Sequence, residues 1–270
     1  VVSAPGETSG QHATRSQHGV SRPARTGGSG PVAGPGPVSG QGLVSGPGLV
    51  SGHGLVKSFR RGPEEVHALR EVGFTLSGGE LVALVGPSGS GKSTLLNVLC
   101  GWERPERGTL AWSGGLGGRR ADSFGWGELS LVPQALGLLA DLTLRENILL
   151  PARLVRRLTE LAPRAEELMA AFGVAHLAAR YPRQASLGEQ QRCAVARALL
   201  LGPALLLADE PTAHQDAGWT AVLFTAFREL TGGGSVCLIA THDPQTWEHA
   251  DRILTMHDGE LREGRPAPAR

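Results

Sequence analysis

Apolar and polar positions from residue 55 onward fall into distinct patterns. Leu81-Val82-Ala83-Leu84-Val85 is a continuous apolar run of strand length, and positions 204–208 and 235–240 supply two more. Strands that are apolar on both faces are buried on both faces, which points to a parallel sheet between two covering layers. Positions 66–76 instead alternate apolar with polar, as a half-buried antiparallel strand does. Leu55-Val56-Lys57-Ser58-Phe59 reads as a first strand, and positions 108–112 and 129–132 read as short ones. Leu, Ala and Arg recur at helical spacing between about 140 and 180. A helix is predicted over 189–201, closed by Gly202-Pro203, and another over 95–99. Asp258-Gly259 turns a final hairpin. The predicted class is α/β.

Residues 1–53 have a different texture. Gly and Pro crowd this stretch, and a six-residue unit repeats through Pro37-Val38-Ser39-Gly40-Gln41-Gly42, Leu43-Val44-Ser45-Gly46-Pro47-Gly48 and Leu49-Val50-Ser51-Gly52-His53-Gly54. So little apolar surface cannot offset chain entropy, and disorder is expected to about residue 53. The ordered remainder has an ample apolar supply, 40% of the chain, but aromatics are only 4%, so Leu, Val and Ala must fill the core. A net charge of +1 gives no basic excess for a nucleic-acid partner. Cys100, Cys193 and Cys237 match no metal spacing and read as buried, reduced thiols. The N-terminus lacks an apolar run behind basic residues, so no secretory leader is expected. The most apolar stretch, 194–208, is interrupted by Arg197, Gly202 and Pro203, so no membrane span is expected either.

The chemistry begins directly after the first apolar run. Gly86-Pro87-Ser88-Gly89-Ser90-Gly91-Lys92-Ser93-Thr94 is G-x-x-x-x-G-K-S between a predicted strand and a predicted helix. Glycines there let successive backbone N–H groups turn inward around phosphates, and the helix N-terminus adds partial positive charge beneath them. Lys92 has the reach for β- and γ-phosphates, and Ser93 can offer a hydroxyl to Mg²⁺. A second constellation ends the strand at 204–208. Leu205-Leu206-Leu207-Ala208-Asp209-Glu210 carries two acids to a strand edge, where Asp209 can hold Mg²⁺ and Glu210 can polarise a water.

With these two motifs in place, the chain from residue 55 to about 262 resembles the nucleotide-binding subunit of an ABC transporter. Gln134 matches the Q-loop glutamine, Ser186-Leu187-Gly188-Glu189-Gln190-Gln191-Arg192 the signature, His214-Gln215-Asp216 the D-loop, and His242 the switch histidine. Gly137-Leu138-Leu139-Ala140-Asp141-Leu142-Thr143-Leu144-Arg145-Glu146-Asn147 looks like the macrolide-export and lipoprotein-release group. The resemblance implies a P-loop ATPase domain over 54–264, with a parallel core sheet, an antiparallel β subdomain and a helical subdomain at about 136–193, followed by a tail at 265–270. It implies ATP and Mg²⁺ as ligands, with Phe59 stacking on adenine, though a core phenylalanine on a first strand fits the residue as well. Gly86, Pro87, Ser88, Gly89, Ser90, Gly91, Lys92, Ser93 and Thr94 would hold the triphosphate. Ser93, Gln134 and Asp209 would hold the metal, and Glu210, His242, Gln134 and Lys92 would serve hydrolysis.

The resemblance further implies head-to-tail pairing with a second copy or a related ATPase subunit. Ser186 and Gly188 of one chain would then face the γ-phosphate held by the other. It implies separate permease subunits, docked near Gln134 and the helical subdomain, and a position on the cytoplasmic face of the cell membrane. The signature departs from the family in one place: Leu187 stands where the first of two glycines is usual, and a branched side chain there is expected to crowd the site and slow it. Two other readings remain open on the residues alone. One is an ABC-type ATPase with no transport role; the other is an ATP-binding regulatory module that does not turn over.

Overall fold

A computed structural model describes residues 49–213 and 215–266. Its larger sheet has six strands. They are β3 (Leu81–Val85), β5 (Leu129–Val132), β6 (Leu205–Asp209), β7 (Val236–Thr241), β8 (Arg252–His257) and β9 (Glu260–Glu263), in the order β5-β6-β7-β3-β8-β9. All neighbours run parallel except the hairpin pair β8–β9. A second, antiparallel sheet has the order β2-β1-β4, built from β1 (Val50–Arg61), β2 (Glu64–Leu76) and β4 (Arg107–Trp112). The helices are α1 (Lys92–Leu99), α2 (Leu144–Leu154), α3 (Leu158–Ala171), α4 (Leu187–Leu199), α5 (Ala217–Gly232) and the short α6 (Pro244–Trp247).

The apolar runs do what their pattern requires. Every residue of β3, β6 and β7 is buried, and successive side chains point to opposite faces of the sheet. Leu206, Ala208, Cys237 and Ile239 enter a core shared with α2 to α5. Their neighbours Leu205, Leu207, Leu238 and Ala240 enter a second core with α1 and the antiparallel sheet. Each fully buried leucine removed from water contributes about 1.5–3 kcal/mol, so a one-residue slip of any central strand would exchange the contents of both cores.

Strand β1 begins before the point at which the Gly/Pro-rich stretch was expected to end. Leu49 and Val50 are 2% and 1% exposed, and Val50 pairs with Leu76 on one side and Trp112 on the other. Averaged composition hides this, because a single Leu-Val pair in a glycine-rich repeat supplies two core side chains. The repeat units before Leu49 lie outside the described residues. Helix α4 starts two residues earlier than expected, because Ser186 and Glu189 form a reciprocal capping box: Ser186 Oγ accepts from Glu189 N–H, and the Glu189 carboxylate accepts from Ser186 N–H. The three cysteines are free and buried, and burial alone pushes the Cys100 thiol up to about 12. Among the described residues no helix is long and apolar enough to cross a membrane.

Candidate active site

Four adjacent parallel strands deliver the candidate side chains to one edge of the sheet. Gln134 follows β5, Asp209 and Glu210 end and follow β6, His242 follows β7, and the glycine-rich loop follows β3. Ligands of open parallel sheets bind at this carboxyl edge. The loop 86–91 is held tightly against its surroundings. A Cβ on Gly86 would lie 2.1 Å from the Met256 carbonyl oxygen, and one on Gly91 (φ 109°) would lie 2.2 Å from that of Ala68. Neither position admits a side chain, so the glycines serve the close approach as much as the turn. Lys92 is 8% exposed, and its Nζ donates to the carbonyls of Gly86 (2.7 Å) and Pro87 (3.1 Å). The ammonium thus sits at the base of the cradle. Burial lowers its pKa, and the charges of Glu210 and Asp209 oppose that shift.

Ser93 Oγ donates to Asp209 Oδ2 at 2.7 Å, joining the start of α1 to the end of β6. Burial raises the Asp209 pKa above the ordinary carboxylate range; the Ser93 hydrogen bond works against this and the neighbouring Glu210 charge adds to it. Ser93, Asp209 and the Gln134 amide offer only hard oxygen donors, and a buried carboxylate that is costly to ionise is better satisfied by a cation. That donor set fits Mg²⁺, which typically takes one or two protein oxygens and completes its shell with phosphate and water. Among the described residues no three His, Cys, Asp or Glu side chains gather into a metal cluster.

Glu210 adopts φ 50°, uncommon for a residue with a side chain. Its N–H donates to the Ala240 carbonyl at 2.8 Å, which fixes the turn. Its Oε1 accepts from the backbone N–H of His242 (3.1 Å) and from His242 Nδ1 (2.7 Å), and its Oε2 accepts from the Thr241 hydroxyl (3.0 Å). Three donors at and just beyond the end of β7 therefore aim one carboxylate. With Nδ1–H turned to Glu210, the His242 ring keeps its other nitrogen out of that bond, and the side chain is 70% exposed.

A cleft of about 310 Å³ lies over these groups, lined by Phe59, Val66, Ser88, Gly89, Gly91 to Thr94, Gln134, Asp209 and Glu210. Phe59 is 38% exposed and pairs across the sheet with Val66, so it forms a wall of the cleft and is not a core side chain. Lys57 Nζ lies 5.0 Å from its ring centroid. Gly86, Pro87, Ser90 and His242 are not among the lining residues; His242 reaches the site through its bonds to Glu210, and Ser90 is 3% exposed, its N–H donating to the Pro87 carbonyl and its carbonyl accepting from Gly259. Ser186 and Gly188 are likewise not among the lining residues. Asp216 caps α5 by accepting from Trp219 N–H (2.9 Å).

Several positioning groups escaped the sequence reading. Thr241 orients Glu210, and only its place beside the histidine hinted at it. Arg197, 4% exposed near the end of α4, donates to the carbonyls of Leu136 (2.8 Å) and Gly137 (2.7 Å), holding the loop beyond Gln134. The buried Asn147 accepts from Leu139 N–H and donates to the carbonyls of Leu139, Leu142 and Thr143.

Comparison with known proteins agrees with this arrangement. The profile of the ABC transporter family matches residues 69–213. The chain is 38% identical over 212 residues to the lipoprotein-releasing system ATP-binding protein LolD of Granulibacter bethesdensis, an alignment that covers 76% of this chain and 92% of that one. It is 36% identical over 228 residues to the macrolide export ATP-binding/permease protein MacB of a Shewanella species, covering 79% of this chain but only 33% of that longer protein. Among solved structures, the dimeric post-hydrolysis state of the ATP-binding cassette MJ0796, bound to ADP and Pi, superposes with a TM-score of 0.71 at 29% identity, covering 80% of this chain and 98% of the cassette. The chain is therefore an ATP-binding, ATP-hydrolysing member of the ABC transporter family.

Proposed function

We propose that this chain powers export across the cytoplasmic membrane, hydrolysing ATP with Mg²⁺ between two paired copies while bound to separate permease subunits on the cytoplasmic face. The observation that carries the reading is the division of the chemistry. Lys92, Gln134, Asp209 and Glu210 line one cleft, with His242 bonded to Glu210, whereas Ser186 and Gly188 are not among the residues lining it. A second copy, or a related subunit, placed head-to-tail supplies that signature turn, as the dimeric cassette MJ0796 suggests. LolD and MacB, whose names specify lipoprotein release and macrolide export, support the export direction.

In this mechanism the backbone of 86–91, Lys92 and Thr94 bind the triphosphate, and Phe59 stacks on the base, worth about 0.5–1.5 kcal/mol. Glu210 accepts a hydrogen bond from the attacking water and orients it in line with the γ-phosphate. His242 and Thr241 hold Glu210 in that aim, and Lys92 absorbs charge that develops on the phosphoryl oxygens. Ser93, Asp209 and Gln134 would hold Mg²⁺, which would supply further neutralisation of phosphate charge. Permease docking is assigned to a second cleft, about 430 Å³, lined by Trp102, Phe124, Trp126, Leu139 and Leu150 beside the loop that Arg197 holds. The test is Mg²⁺-dependent ATP turnover by the purified chain, raised by membranes containing its permease and lost in Lys92→Ala. Turnover that survives Lys92→Ala would exclude this site.

A further inference from the structure

Inside one subunit, the start of the signature helix is tied to the D-loop by a single side chain. Gln215 Nε2 donates to the Gly188 carbonyl (3.0 Å), and Gln215 Oε1 accepts from Arg192 Nη1 (3.0 Å). The two partners fix the orientation of the amide, since a carbonyl only accepts and a guanidinium only donates. Around this bridge the chain is closely built. Arg192 is 8% exposed, and its guanidinium lies 4.1 Å from the Trp219 ring centroid. The Trp219 ring in turn fills the space where Gly173 would carry a Cβ, at 2.2 Å. Two successive turns, Ala213 N–H to the Glu210 carbonyl and Gln215 N–H to the Thr212 carbonyl, connect Gln215 back to the hydrolytic carboxylate.

We infer that Gln215 is a positioning residue that sets the signature turn at Ser186 to Gly188 in the geometry needed to close on the partner copy's nucleotide. This rests on the head-to-tail reading above. The first turn of α4 carries an exposed leucine at its first position, 48% exposed. Its reciprocal cap consumes Ser186 Oγ and the Glu189 carboxylate within the same turn. Among the described residues, no other side chain of the segment 215–219 hydrogen-bonds a signature-turn backbone atom, so Gln215 links the turn to the body that carries Glu210. It touches no nucleotide group and acts through Gly188.

The experiment separates this role from satisfaction of the buried Arg192. In a Glu210→Gln parent, which should accumulate ATP-bound pairs, the ATP concentration for half-maximal dimerisation is measured for Gln215, Gln215→Leu and Gln215→Glu by light scattering. Glutamate keeps an acceptor for Arg192 and loses the donor to Gly188; leucine loses both. Each hydrogen bond carries a modest net weight, so both variants should need about five- to tenfold more ATP to pair. Binding of ATP to dilute, unpaired chains should stay at the parental value. In the hydrolysing background KM should rise by a similar factor with kcat largely retained. The thermal midpoint of Gln215→Glu should match the parent, which keeps the test valid if the leucine variant fails to fold. Parental dimerisation in Gln215→Glu would assign Gln215 only to packing and overturn the inference. Failure of the Glu210→Gln parent to pair would overturn the head-to-tail reading and this inference with it.

Discussion

Replacing Glu210 with glutamine removes one charge and almost nothing else. In the structure Oε1 receives two donors from His242 and Oε2 receives one from Thr241. A glutamine places its carbonyl oxygen at the doubly served position and its NH₂ toward the Thr241 hydroxyl. That hydroxyl has a lone pair to accept with, even while it accepts from Asp243 N–H. The backbone turn at φ 50° is kept by the bond to the Ala240 carbonyl. The variant should therefore fold as the parent does, with a thermal midpoint within about 2 °C, since an isosteric exchange that keeps all three hydrogen bonds costs about 0.5 kcal/mol or less. What is lost, on the proposed mechanism, is the acceptor for the water's proton. Positioned general bases contribute about 10²–10⁴-fold, or about 3–5 kcal/mol of barrier. Phosphate release at saturating ATP and Mg²⁺ should fall by that range, while ATP affinity, measured with a fluorescent nucleotide, stays within about twofold. Turnover within about threefold of the parent would remove Glu210 from the chemistry.

Three further outcomes follow from the same geometry. Leu187→Gly should raise the ATPase rate, because the side chain is 48% exposed at the start of α4, in the turn proposed to face the partner copy's nucleotide; an unchanged or lower rate rejects crowding. Asp209→Asn keeps the acceptor for Ser93 Oγ but removes a carboxyl whose pKa folding raises. The folded chain holds that proton over a pH window in which the unfolded chain, near about 3.9, has released it, so Asp209 costs stability increasingly as pH rises through the window. Nucleotide-free Asp209→Asn should thus match the parent below about pH 4 and exceed it in denaturant titrations at neutral pH, while losing Mg²⁺-dependent ATP binding; parity at all pH values contradicts the burial argument. Phe59→Ala should weaken ATP and GTP alike by about three- to tenfold, since stacking is largely blind to the base; unchanged affinity would take Phe59 out of the cleft.

The parts of this site that were legible in the sequence are those whose signal is local. β3, the glycine loop and α1 form one continuous stretch, and the apolar run with its acids at 205–210 forms another, so period and motif suffice. Parallel pairing then brings Gln134, Glu210 and His242 to one edge without further information. The start of β1 was hidden by averaging over a glycine-rich repeat, and the start of α4 by an unread S-x-x-E cap. The positioning groups were not legible because their partners are distant along the chain. Gln215 meets Gly188 across 27 residues, Thr241 meets Glu210 across 31, and Arg197 meets Leu136 across 61. Nothing in the local pattern of a helix interior distinguishes an arginine that holds a loop from one that faces solvent.

Head-to-tail pairing is tested most directly by mixing two inactive chains. Lys92→Ala disables the cradle and leaves the signature turn intact. Leu187→Asp leaves the cradle intact and sets a carboxylate against the partner's triphosphate, at a helix start that tolerates acids. Each chain alone should be inactive. In a mixed pair one cleft combines the intact cradle of one chain with the intact signature turn of the other, so ATPase activity should reappear on mixing and scale with the population of mixed pairs. Mixtures that stay as inactive as their components would show that each chain completes its own site, contrary to the pairing on which this account rests.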